Sequence, residues 1–126
     1  MDIRIKKLTP ELIDDYIYFF EEVAYEDCYC TYYCSVDQRG IDFHSKDFRK
    51  ESAIQYIKDA KIQGYLAYIN SNVVGWCNVN NRADCINSEG WRIMLSSVND
   101  TQIADEGERI KSIFCFIKTK AMEEKL

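Results

Sequence analysis

The segment from 25 to 44 concentrates residue types that can bind a charged ligand. Its acidic residues are Glu26, Asp27, Asp37 and Asp42, and its tyrosines are Tyr25, Tyr29, Tyr32 and Tyr33. Carboxylates attract a protonated amine, and tyrosine rings offer both cation–π faces and hydroxyl groups. The composition therefore predicts an amine-binding rim, for which the candidate residues are Glu26, Asp27, Tyr29, Tyr32 and Tyr33. The alternative is an aromatic loop that packs over the edge of a sheet.

The same segment contains one set of potential metal ligands: Cys28, Cys30, Cys34 and His44. Structural zinc sites usually combine a C-x2-4-C pair with a second pair of ligands farther along the chain. The spacing C-x-C chelates less well, and the chain contains a single histidine. The sequence therefore predicts no metal site, and these four residues are the alternative ligand set. Nothing in the pattern orders a thiol against His44, so no nucleophilic pair is predicted either.

The charge balance restricts the classes of partner. Sixteen basic residues against 21 acidic residues give a net charge of −5. Binding to nucleic acid or to an anionic membrane surface depends on lysine and arginine, so the balance excludes both as expected partners. A small-molecule amine suits an acidic chain better. No apolar signal core follows the first residues, which predicts a cytoplasmic protein whose six cysteines are thiols.

Periodicity and turn residues predict a short series of elements that would position these side chains. Residues 2–8 alternate as a strand, and Thr9 followed by Pro10 predicts the capped start of a helix of about four turns. Ser45 or Asp47 caps a second helix, for which Gly64 is the expected stop. Three strands follow, at 65–69, 73–79 and 109–117; the first two form a hairpin around 70–72. The predicted class is α/β, more specifically α+β, as a single domain over 1–126 in the order strand-helix-helix-strand-strand-strand.

That order, with GYLAY at 64–68 leading into VVGWCN at 73–78, resembles the GNAT superfamily of N-acetyltransferases. The stretch Cys28-Tyr29-Cys30 is similar to a bacterial subgroup of these enzymes. The resemblance covers residues 1 to about 117, which correspond to the N-terminal half of the family fold. It implies a mixed, mainly antiparallel sheet and the transfer of an acetyl group from acetyl-CoA to a small-molecule amine.

The resemblance also implies where the acetyl-CoA would bind. Backbone groups of Cys115, Phe116 and Ile117 would hold it, and Glu108 is a candidate general base. In the family a glycine-rich loop follows this strand and binds the pyrophosphate at a helix N-terminus. Here KTKAMEEKL follows instead, with no glycine after Gly107. The missing loop predicts a truncated or degenerate domain and counts against autonomous activity.

A second function remains open at this stage. Without later strands, the apolar strand at 109–117 would have an unpaired edge, which favours pairing with another chain. The alternative to an enzyme is therefore a non-catalytic interaction module, in particular a homodimer that pairs through this strand.

Overall fold

The computed structural model describes residues 2–90 and residues 111–116, the latter through their backbone alone. The α+β class is confirmed, and within these residues the elements follow one another in the predicted order. The strands are β1 (Ile3–Lys7), β2 (Gly64–Ile69), β3 (Asn72–Asn81) and β4 (Lys111–Phe116), and the helices are α1 (Ile13–Tyr18) and α2 (Lys46–Lys58). No helix in the described part of the chain has the length and apolarity needed to cross a bilayer.

The sheet has the order β1-β2-β3-β4, and each of its three pairings is antiparallel. The resemblance implied a mixed sheet, but the described strands contain no parallel pair. The register places Ile5 opposite Ala67, Ala67 opposite Gly75, and Trp76 opposite Phe116. β1 and β4 are therefore the two outer strands of the described sheet.

The first helical segment is divided into three kinds of turn. A 3₁₀ turn at Pro10–Leu12 leads into α1, and a π turn at Phe19–Val23 follows. Thr9 has the extended backbone of an N-cap residue, but its side chain makes no capping hydrogen bond, so that part of the prediction is wrong. Tyr16, Phe19 and Phe20 are buried because the segment lays its apolar side on the sheet.

α2 begins as predicted and ends earlier than predicted. The Ser45 hydroxyl accepts a hydrogen bond from the Phe48 N–H at 3.4 Å, which confirms Ser45 as the N-cap. Gly64 is not the stop, because it is the first residue of β2. Ala60 instead adopts the left-handed conformation, with φ of 56°. The N–H groups of Ala60 and Lys61 donate to the carbonyls of Ile57 and Tyr56, which is the Schellman arrangement.

The predicted hairpin between β2 and β3 is confirmed. Asn70 and Ser71 form its two-residue loop, and both have positive φ, 49° and 71°. This is the pattern of a type I′ turn, whose twist matches that of antiparallel strands. Asparagine tolerates the left-handed region better than most residues, so the local sequence accounts for this turn.

Gly64 is required by close packing between β2 and β3. A Cβ atom at this position would lie 2.0 Å from the carbonyl oxygen of Cys77 and 2.6 Å from Cη2 of Trp76. The Trp76 indole is buried and meets the ring of Tyr16 edge-on, with the ring centroids 5.0 Å apart. The absence of a side chain at Gly64 therefore allows the largest core residue to lie against the helical layer.

Candidate functional site

An acidic cavity of about 720 Å³ lies where the first helical segment passes into the 25–44 loop. Its walls consist of the π turn, the beginning of the loop and the start of α2. The lining residues are Phe20, Glu21, Glu22, Tyr25, Glu26, Asp27, Cys28, Tyr29 and Lys46. Four carboxylates and two tyrosines thus surround a volume large enough for a small organic ligand.

Glu21 connects three parts of the cavity wall. Its Oε2 accepts a hydrogen bond from the Tyr29 hydroxyl at 2.7 Å and lies 3.0 Å from the Nζ of Lys50 on α2. The hydrogen bonds from Tyr29 and Lys50 hold the pKa of the Glu21 carboxyl below its ordinary value. Burial, together with the bond to Glu21, raises the pKa of Tyr29 far above its ordinary value. Tyr29 is consequently a neutral donor and Glu21 an ionised acceptor at neutral pH.

The other carboxylates differ in how far they are already engaged. Asp27 pairs with the guanidinium of Arg49 at 3.4 Å, and Glu26 accepts a weak hydrogen bond from the Cys28 thiol at 3.8 Å. Glu22 has no hydrogen bond or ion pair to any residue that the structure describes. Among the four carboxylates of the cavity, the Glu22 side chain is therefore a ready partner for a cation. Glu26 could contribute a further acceptor, because a carboxylate accepts several hydrogen bonds.

The backbone of the loop is strained where it borders the cavity. Tyr29 and Cys30 both have φ of 52°, a left-handed conformation that costs about 1–2 kcal/mol for each residue with a side chain. Both side chains are buried, and the Tyr16 hydroxyl donates to the Tyr29 carbonyl. These contacts hold the strained pair in place. Strain retained by tertiary contacts is common at ligand-binding sites.

Arg49 of α2 forms hydrogen bonds with the backbone near both ends of the 25–44 loop. Its Nε donates to the carbonyl of Asp27 at 2.9 Å, and its Nη1 donates to the carbonyl of Phe43 at 2.6 Å. The side chain is only 12% exposed, so water competes little for these bonds. A planar guanidinium can serve several acceptors at fixed angles, which an ammonium group cannot do.

The structure divides the predicted rim between two places. Glu26, Asp27 and Tyr29 line the acidic cavity, as does Tyr25. Tyr32 borders a separate cavity of about 460 Å³, where its ring meets Phe43 edge-on at 5.5 Å. The remaining candidate, Tyr33, is half-buried.

Two predicted acidic residues of the loop lie outside the acidic cavity. Asp37 forms an exposed ion pair with Arg39 at 2.6 Å. A carboxylate oxygen of Asp42 lies 3.0 Å from Nδ1 of His44, and both side chains are exposed. Both pairs are local to the loop, with partners two residues apart. The electrostatic attraction for an amine therefore comes from the first part of the loop and from the π turn.

The inner side of the loop meets a buried polar network on β3. The Asn78 side-chain amide donates to the carbonyl of Tyr33 at 2.8 Å and to the thiol of Cys30 at 3.3 Å, and its oxygen accepts from Asn80 at 2.7 Å. Burial raises the pKa of Cys30 to about 12. Burial also raises the pKa of the Cys34 thiol to about 11. These thiols are protonated at neutral pH and act as packing groups, not as nucleophiles.

The alternative metal ligands do not converge. Cys30 and Cys34 are buried and Cys28 is half-buried, whereas His44 is largely exposed and bound to Asp42. Across residues 2–90, no group of three or more histidine, cysteine or acidic side chains has the geometry to hold a metal ion.

The acetyl-CoA residues implied by the resemblance fall at the end of β4. Cys115 and Phe116 belong to that strand, while Ile117 and Glu108 lie outside the described residues. A chain of contacts leads from this strand to the cavity: Phe116 is in register with Trp76, and Trp76 packs on Tyr16. The Tyr16 hydroxyl then binds the carbonyl of Tyr29, which lines the cavity. Two side chains thus separate the end of β4 from the acidic cavity.

Comparison of the chain with protein-family models, with curated proteins and with solved structures found no significant match.

Sequence reasoning missed Glu21, Glu22 and Arg49 as site residues. Glu21 and Glu22 lie within a predicted helix, where acidic residues are usually part of a solvated face. No local pattern distinguishes Arg49 from the other charged residues of α2, which include Lys46, Asp47, Lys50 and Glu51. The only usable signal for the glutamates was their position directly before the acidic loop.

The pKa of Glu21 predicts a specific acid dependence of stability. Because its pKa is lowered from 4.5 in the folded chain, Glu21 stabilises the fold above about pH 4.5, and this contribution is lost as the pH falls through the folded pKa. Glu21 is 29% exposed, so the contribution is at most about 1 kcal/mol. Urea unfolding of Glu21→Gln and of the wild-type protein can be measured between about pH 3 and about pH 7, at intervals of about one pH unit. On acidification, Glu21→Gln should lose less stability than the wild-type protein loses. An equal loss in both proteins would contradict the assignment.

Proposed function

We propose that this chain is a GNAT-type N-acetyltransferase domain that binds a small-molecule amine in the acidic cavity. The observation that carries the proposal is this acidic cavity together with the chain of contacts through Trp76 and Tyr16 that leads from it to the end of β4. An antiparallel sheet in the order β1-β2-β3-β4, with both α-helices inserted between β1 and β2, supports it as the arrangement expected for the first half of such a domain.

The chemistry of the cavity favours an amine over other ligands. Glu22 and Glu26 offer carboxylate oxygens to an ammonium group, and Phe20 and Tyr25 supply aromatic surface for the carbon chain beside it. An anionic ligand would be repelled by four carboxylates around a single lining lysine, Lys46. The cavity volume of about 720 Å³ accommodates a linear amine of several carbons.

The outer edge of β4 suits the proposed acetyl donor. Within the described residues β4 pairs only with β3, and backbone N–H and C=O groups on its other side would be the ones that hold the donor. Acetyl-CoA supplies a thioester: the amine nitrogen bonds to the acetyl carbon, the C–S bond breaks, and CoA leaves as a thiolate. Overall the ammonium loses two protons, one to the thiolate and one to solvent.

The residues of the chain would act mainly by binding and by holding a proton. Glu22 would pair with the ammonium and accept its first proton through contact or one water molecule. Tyr29 would not act as an acid, because its raised pKa keeps the hydroxyl neutral and bonded to Glu21. Its role is to fix Glu21 and the loop around the amine.

The test separates amine binding from acetyl transfer. Isothermal titration of the full chain with spermidine should show binding that weakens about tenfold in the double variant Glu22→Gln/Glu26→Gln, since two charged hydrogen bonds are lost. Mass spectrometry of spermidine incubated with the chain and acetyl-CoA should detect an acetylated product. The variant Asp59→Asn serves as the control, because it removes a carboxylate at the end of α2 that does not line the cavity.

The two readouts have different consequences. Absence of heat with spermidine and with putrescine at millimolar concentration would reject the amine site. Amine binding without heat from acetyl-CoA and without product would reject the acetyltransferase and leave an amine-binding module. Equal weakening in the control and in the double variant would show a nonspecific charge effect.

The second candidate is a non-catalytic module that pairs through β4. The favouring observation is again the single described partner of this strand, which leaves one edge open within the described residues. Such an edge can add a strand from another chain or from a second copy. Detection of the acetylated product would decide against this candidate.

A further inference from the structure

One face of the sheet carries apolar side chains without a covering layer among the described residues. Leu66, Tyr68 and Trp76 point towards the helices and are buried. Side chains alternate along a strand, so the residues between them point to the other face. We call this other face the open face; its apolar residues include Ile3, Ile5, Tyr65, Ala67, Ile69 and Cys77.

The residues of the open face form a continuous surface by register. Ile3 lies opposite Ile69, and Ile5 lies opposite Ala67, which in turn lies opposite Gly75. Residues directly opposite each other in antiparallel strands share a face and touch. Ile3 and Ile5 are 59% and 62% exposed, which is high for two isoleucines on adjacent positions of one face. Across β1, β2 and the adjoining part of β3, the surface is therefore mainly apolar and not a scatter of single residues.

The open face contains a ridge and, beside it, a groove. Ile3 and Ile5 project from β1, whereas the small residues Ala67 and Gly75 leave a groove of about 140 Å³ beside them. The groove is lined by apolar residues, Ile5 and Tyr65 among them. A twofold axis would place the ridge of one molecule in the groove of another, which is the requirement for a self-complementary interface.

The open face differs in charge from the chain as a whole. The chain has a net charge of −5, so two copies repel each other over most of their surface. On β1 and β2, the open face carries one charged side chain, Lys7, and no carboxylate. It is thus a surface through which two acidic molecules can approach without placing carboxylates against each other.

We infer that the open face binds a second copy of this chain, sheet against sheet. This goes beyond the proposed function, because neither the amine cavity nor the β4 edge takes part. A face of four strands, about five residues long, measures roughly 20 by 17 Å. Each face thus has an area of about 340 Å², so pairing two of them buries on the order of 700 Å² in total, which is the size of a weak, transient interface. The dimer should therefore be weak, with a Kd on the order of 10 µM.

Sedimentation velocity on the full chain tests the inference. Wild type in reducing buffer, from about 1 to about 300 µM, should change from monomer to dimer with rising concentration. Ile5→Glu should raise the Kd at least about tenfold, because it places a carboxylate beside the groove of the open face, within the interface. Ile86→Glu is the matched control, since Ile86 is also exposed but does not belong to the sheet, and its dimerisation should equal that of wild type.

Each other result would overturn the inference. A wild type that stays monomeric over the whole range would show that the open face does not bind a second copy. A dimer that persists in Ile5→Glu would place the interface elsewhere, for example at β4 on the opposite side of the sheet. Circular dichroism monitors folding of the variants; Ile3→Glu, nearer the end of β1, replaces Ile5→Glu if the latter unfolds.

Discussion

Replacing Gly64 by alanine should lower the free energy of unfolding by about 3 kcal/mol or more, or prevent folding. The new Cβ would lie 2.0 Å from the Cys77 carbonyl oxygen, and a backbone atom cannot move aside without separating β2 from β3. It would also lie 2.6 Å from the Trp76 ring, whose displacement would disturb the contact with Tyr16. Urea unfolding followed by tryptophan fluorescence measures the effect.

Gly40→Ala provides the control for this experiment. Gly40 has φ of 82° but open space around its Cα, so a methyl group there meets no atom within 4 Å. The expected cost is only that of left-handed backbone, about 1–2 kcal/mol. A Gly64→Ala protein that unfolds at the same urea concentration as Gly40→Ala would show that the β2–β3 contact is looser than described.

Replacing Arg49 by alanine should destabilise the chain by about 3 kcal/mol and weaken amine binding at least about tenfold. The substitution leaves the carbonyls of Asp27 and Phe43 without their donors, and both ends of the 25–44 loop are released. The direction of the binding effect is informative. If Arg49 acted only as a positive charge beside Asp27, its removal would strengthen the binding of a cation. Weaker binding therefore reports the loss of cavity shape.

Two further variants narrow the interpretation of the Arg49 result. Arg39→Ala removes an exposed ion pair with Asp37, which water screens, so it should leave both stability and amine affinity nearly unchanged. Arg49→Lys keeps the charge but cannot reach both carbonyls at once, so it should resemble Arg49→Ala more than wild type. Calorimetric titration with spermidine measures the amine affinity, and urea unfolding measures the stability. Wild-type affinity in Arg49→Ala would contradict the proposed role of Arg49 in holding both ends of the loop.

The elements that the sequence predicted correctly are those that depend on residues close together in the chain. The strand β1, the Ser45 cap and the Asn70-Ser71 turn each depend on a few neighbouring residues, and each is found where it was predicted. The alternation in β1 predicted a half-buried strand, and that part is wrong, because all five of its residues are exposed. The α+β class follows from the order of these elements. Acidic and aromatic residues in the 25–44 loop also predicted three of the residues that line the acidic cavity.

The features that the sequence did not reveal depend on contacts between distant residues. Gly64 was expected to end a helix. A glycine is required there because the ring of Trp76, twelve positions later in the chain, lies too close for a Cβ atom. Ala60 ends α2 in a conformation that alanine rarely adopts, supported by hydrogen bonds back to Tyr56 and Ile57. Arg49 serves carbonyls that are 22 and 6 residues away, so its role is visible only when the loop is folded.

The left-handed pair Tyr29-Cys30 has a consequence for the order in which the chain folds. Residues with side chains rarely sample this conformation in an unfolded chain, so the cavity wall is not formed locally. It becomes favourable only after Tyr16 and Asn78 are in place to bind the Tyr29 carbonyl and the Cys30 thiol. Among the described residues, we therefore expect the β2–β3 hairpin and the helical layer to form before the wall of the ligand site. A ligand bound there would stabilise a part of the chain whose formation depends on contacts made elsewhere.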